Sequence, residues 1–121
     1  MEKYNTDQLF PELDMDHGHY KKWFIHLEPI EGLSESEIFN RDDTVAEIRI
    51  IEFHDDATNK AYDYYVFYYL RHDQGECRTI FEGTCKSTSK EYKDVTQAGA
   101  SIYDHLHNKC MEKLKEYLNK Q

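Results

Sequence analysis

The chain has 121 residues, enough for one domain, with 24 Asp and Glu against 15 Lys and Arg for a formal net charge of −9. No apolar run approaches the roughly 20 residues of a membrane-spanning helix. The acidic balance argues against direct nucleic-acid binding, which wants a basic face. Hydrophobic residues make up only 39%, and 10 Tyr are among them, so tyrosine rings must supply much of the buried area.

Residues 1–19 mix acids with Leu9, Phe10, Leu13 and Met15 and show no period. They read as an arm, partly docked on a single α+β domain at 20–121. The opening segment has neither a basic nor an apolar leader region. With 3 Cys, an odd number, this favours a reducing, cytoplasmic setting over a disulfide framework.

Residues 20–28 alternate, with Trp23, Ile25 and Leu27 on one face, and predict a strand ended by Pro29 and Gly32. Ser34 and Glu37 form a capping box, and Leu33 and Ile38 stand at staple positions, so a short helix follows. Three strands come next, at 45–54, 61–71 and 77–85. The apolar phase of the first shifts between Ile50 and Ile51. A hairpin loop is expected at His72–Glu76. Cys77 and Cys85 fall on one strand, about 26 Å apart, beyond disulfide reach. All three cysteines read as small buried hydrophobes.

The clearest helix is C-terminal: Val95, Ala98 or Gly99, Ile102, Leu106, Cys110, Leu114 and Tyr117 or Leu118 recur at three and four, starting between 89 and 95. The order predicts an antiparallel four-stranded meander. A long C-terminal helix packs on one face, and a short helix lies between strands 1 and 2. The expected core joins Trp23, Ile25, Leu27, Ile48, Tyr64, Val66, Tyr68, Phe81, Ile102, Leu106 and Leu114.

On strand 61–71 the even positions are uncharged and belong to the helix. The odd positions place Tyr65, Phe67 and Tyr69 between charged ends, as on a surface with a covered centre and a wet rim. That face needs a cover: the arm, a second copy of the chain, or a partner.

Charge is distributed unevenly. Residues 1–60 hold fifteen Asp and Glu against six Lys and Arg, whereas the remainder is balanced at nine each. Glu28, Glu31, Glu35, Glu37, Asp42, Asp43, Asp55 and Asp56 form the candidate docking set. Fixed carboxylates can stand in for phosphates before a basic protein and give electrostatically steered binding.

One candidate metal cluster follows from strand pairing. If residue 20 lies near residue 54, then Asp14, Asp16, His17 and His19 approach His54, Asp55 and Asp56. There is no phosphate loop and no nucleophile elbow, so neither an enzymatic activity nor a cofactor is expected.

The leading expectation is a non-enzymatic inhibitor or immunity-type protein. Its acidic surface would act as a nucleic-acid mimic, occupying a basic site on a nuclease or another nucleic-acid-binding protein. Direct contact with nucleic acid or membrane is not expected. The alternatives are a small metal- or ligand-binding domain or enzyme built on the Asp/His-rich end, and a homodimeric assembly protein using the Tyr65, Phe67 and Tyr69 face.

Overall fold

A computed structural model describes residues 8–70 and 76–120. The elements are β1 (Phe10–Asp16), β2 (Tyr20–His26), α1 (Glu35–Phe39), β3 (Thr44–His54), β4 (Lys60–Tyr69), β5 (Cys77–Lys86), α2 (Lys90–Gln97) and α3 (Ile102–Asn119). The strands form one antiparallel sheet in the order β1-β2-β3-β4-β5. The α+β meander with a C-terminal helix is as expected. Residues 1–7 of the expected arm and 72–75 of the expected hairpin loop lie outside the described residues.

The sheet has five strands, not four. The added strand, β1, comes from the segment read as an arm and pairs edge-on with β2. Glu12, Leu13, Asp14, Met15 and Asp16 do alternate, but the run holds only two apolar residues behind Pro11, and its register shift between Leu13 and Met15 is set by pairing with β2. Pro11 is tolerated because β1 is an edge strand. The short helix therefore lies between the second and third strands of the sheet, not between the first and second. It is capped as its sequence demands: the Ser34 hydroxyl accepts from the Glu37 amide, and the Glu37 side chain accepts from the Ser34 amide.

The C-terminal helix is broken in two. Ala98 caps α2, Gly99 takes a φ of 78°, and the Ser101 side chain accepts from the Asp104 amide to start α3. A positive φ suits glycine, so the chain reorients here instead of running straight on. The remaining helix has 18 residues, about 27 Å long.

Strand alternation sorts the side chains. Ile25, Ala46, Ile48, Ile50, Tyr62, Tyr64, Val66 and Cys85 face α3, where Ile102, Leu106, Cys110, Leu114 and Leu118 complete the buried core. Trp23, Leu27, Tyr68 and Phe81 are partly buried against it. Of the cysteines, Cys85 and Cys110 are buried, but Cys77 is exposed near the free edge. The opposite face carries Phe24, Glu47, Arg49, Ile51, Tyr65 and Phe67. Among the described residues, 8–19 do not cover that face; Phe10–Asp16 widen the sheet as its edge strand.

Candidate functional site

The most organised polar group lies where β2 ends and β3 begins. The β2–β3 register shifts between Ile25, paired with Ala46, and His26, paired with Thr44. Bulges of this kind re-aim side chains. Here the imidazole of His26, 2% exposed, is held at both nitrogens. Nδ1 lies 2.8 Å from Thr44 Oγ1, and Nε2 lies 2.9 Å from Glu12 Oε1. An ionised carboxylate only accepts, so a neutral ring carries its proton on Nε2 and accepts a hydrogen bond from the Thr44 hydroxyl at Nδ1.

These three residues line a cavity of about 440 Å³. Phe24 and Ile38 give it apolar wall, and Asp14 and Glu35 add carboxylates. Asp14 pairs with Lys22 at 3.1 Å. The cavity thus joins β1, β2, α1 and β3 on the face of the sheet opposite α3.

Beside it, Glu28, Glu37, Asp42 and Asp43 surround a second cavity of about 370 Å³, with Arg41 in its wall. The Arg41 side chain is 4% exposed. Its guanidinium donates to both Asp43 carboxylate oxygens and to the Glu28 carbonyl. Nη1 is buried with no hydrogen-bond partner among the described residues. The hydrogen bond from Arg41 holds the Asp43 carboxyl below its ordinary range, and the same bond raises Arg41. Asp43 also accepts from the Glu28 amide at 3.0 Å, so it anchors the β2–β3 connection from within.

The expected acidic set is therefore divided. Glu28, Glu31, Glu35, Glu37 and Asp42 are exposed along the β2–β3 connection. Asp55 and Asp56 lie past the other end of the 11-residue β3, about 33 Å away. Asp56 accepts from the amides and side chains of Thr58 and Asn59, which hold it well below the usual carboxylate range. Asp55 pairs with Lys86 at 3.6 Å.

The metal cluster does not assemble. Tyr20 pairs with Ile51, not with residue 54, so His54 and Asp56 lie beyond the turn that carries His17 and His19. Asp14 and Asp16 are drawn to Lys22 and Lys21. Among the described residues no group of three or more His, Cys, Asp or Glu comes close enough to hold an ion.

On the sheet face, Tyr65 and Phe67 stack with centroids 5.8 Å apart, and the Arg49 guanidinium lies 5.1 Å from the Phe67 ring. Tyr69 is different: it is 7% exposed, and its hydroxyl donates to the buried Glu47 carboxylate at 2.9 Å. Burial, then Glu47, pushes its pKa far up. Only Tyr65 and Phe67 remain as surface aromatics of the proposed trio.

Sequence reasoning missed Glu12, Phe24, His26, Ile38 and Thr44 as a group. No signal marked it, because His26 stands between Ile25 and Leu27, where the alternation already expects a polar residue. No helix among the described residues is long and apolar enough to cross a membrane. Compared with protein-family models, curated proteins and solved structures, the chain matches none.

Proposed function

We propose that the chain is a protein-binding inhibitor or immunity-type protein. Its acidic β2–β3 connection would occupy a basic site, of the kind that binds nucleic acid, on a partner protein. One observation carries this reading. Arg41 is the sole Lys or Arg between residues 28 and 48, and its guanidinium is turned inward onto Asp43 and the Glu28 carbonyl. The outside of the connection therefore presents the exposed carboxylates Glu28, Glu31, Glu35 and Glu37 on a segment whose one cation is turned inward. A surface arranged this way favours a basic partner and rapid, salt-sensitive encounter.

The test is association kinetics with a partner captured from the native host. Steep loss of on-rate with salt, and further loss on reversing Glu35 and Asp42, support the reading. A salt-independent on-rate overturns it.

A second reading rests on Tyr65 and Phe67, stacked and half-buried on the face opposite α3. Such a face suits a homodimer. Sedimentation of the wild type against Phe67→Glu decides it: a dimer that the substitution splits supports this reading, and a monomer removes it.

A further inference from the structure

We propose that Thr44, His26 and Glu12 form a hydrolytic site for carboxylic esters that carry a positive charge. This goes beyond a binding role and does not depend on it. A nucleophile is recognised by a hydroxyl within hydrogen-bond reach of a base, with the base oriented by a third group. All three conditions meet here. Thr44 Oγ1 is 2.8 Å from Nδ1 of His26, and Nε2 is 2.9 Å from Glu12 Oε1. The three residues are distant in sequence and come from three strands, yet they line one cavity. Its volume, about 440 Å³, is within the range of small-molecule sites, roughly 300–1,000 Å³.

The remaining wall defines the substrate class. Phe24 and Ile38 offer apolar surface for an acyl chain. The Glu35 carboxylate favours a cationic group and disfavours an anionic one, whereas the Asp14 charge is already met by Lys22. Arg41 belongs to the adjoining cavity and does not line this one.

The steps balance with water as the second reactant. Thr44 Oγ bonds to the ester carbonyl carbon while its proton passes to Nδ1 of His26. The resulting imidazolium is stabilised by Glu12 through the Nε2 proton. The tetrahedral adduct collapses, the bond to the alcohol oxygen breaks, and the Nδ1 proton goes to that oxygen. Water then attacks the acyl-threonine, giving its proton to Nδ1. The acid leaves, and the proton returns to Thr44.

The probe is the p-nitrophenyl ester of Nα-blocked lysine, with the norleucine ester as its uncharged counterpart. Wild-type protein is expected to hydrolyse the lysine ester above the buffer rate and to carry the acyl group on Thr44, located by peptide mass spectrometry. Thr44→Val should lower the rate by about 10²-fold or more, with its unfolding midpoint showing that it is folded. Thr44→Ser should stay active, which keeps the test valid if Thr44→Val is unstable. Glu35→Gln should narrow the preference for lysine over norleucine. Hydrolysis unchanged in Thr44→Val, or a wild type with neither turnover above buffer nor an adduct on Thr44, overturns the proposal.

Discussion

Gly83 lies directly across from Tyr64 in the β4–β5 pairing, and a Cβ placed on Gly83 would sit 2.4 Å from the Tyr64 hydroxyl oxygen. The tyrosine ring occupies the space that a side chain at 83 would need. Tyr64 is itself buried, tilted against Phe81 and covered by the Lys109 ammonium, so it cannot swing away freely. Gly83→Ala is therefore expected to cost about 1–3 kcal/mol, as overpacking does. Chemical denaturation measures it. Combined with Tyr64→Leu, the loss should be smaller than the sum of the two single losses, because the clash disappears with the ring.

Leu106 is fully buried where α3 crosses the sheet, beside Ile48, Val66 and the other residues of the core. Leu106→Ala should destabilise the fold by about 2–5 kcal/mol, through lost transfer energy and the cavity left behind. An unfolding midpoint equal to that of the wild type would contradict the packing of α3 on this face.

Tyr69 and Glu47 form a buried hydrogen bond at 2.9 Å. Tyr69→Phe keeps the ring but leaves a carboxylate oxygen without its hydroxyl donor, which should cost about 1.5–3 kcal/mol. Tyr65→Phe is the control. Its hydroxyl lies 3.5 Å from Asp63 on the open face, and the change should be under about 0.5 kcal/mol.

His107 gives stability a pH dependence with a definite sign. Its ring is tilted against Trp23 with centroids 4.4 Å apart, its Nδ1 is buried with no partner among the described residues, and burial lowers its pKa below the ordinary 6.5. Asp104 opposes this more weakly. The unfolded chain thus takes up the proton first. The contribution is fully present above the ordinary imidazole range and is lost as pH falls through 6.5 towards the lowered folded value. Urea unfolding at pH 7.5 and 5.5 should show a larger drop for the wild type than for His107→Phe, which keeps an aromatic ring beside Trp23. Equal drops would contradict this assignment.

Reversal of Glu35 and Asp42 to Lys should slow association with a basic partner, mostly through the on-rate, and flatten its salt dependence. Charges steer each other over about 8 Å at physiological salt. Folding stability should move by under about 0.5 kcal/mol, since both residues are exposed. The same reversal at Glu112 and Glu116, on the charge-balanced half, should leave the on-rate nearly unchanged. Stopped-flow association across a salt series checks both pairs.

Much of this molecule follows from local chemistry that a sequence displays directly. The alternation of Trp23 and Ile25, and of Tyr62, Tyr64 and Val66, assigns a face to each residue because strand side chains repeat every two positions. Ser34 and Glu37 satisfy each other within one turn, so the start of α1 is local too. The acidic excess of residues 1–60 is likewise a matter of counting. Alternation says which face a residue takes, but not which residue lies opposite. Register is a collective property, and three shifts set it here, at Leu13/Met15, at Ile25/His26 and at Val66/Phe67. The second brings Thr44, 18 positions away, onto His26, and the pairing of β1 brings Glu12 onto the other side of the same ring. The inward turn of Arg41 and the burial of Tyr69 also depend on partners supplied by folding. The faces and the charge were thus determined by the sequence itself. The fifth strand, the break at Gly99 and the His26 cavity were decided by tertiary structure, because each depends on contacts or chain reversals that no local period encodes.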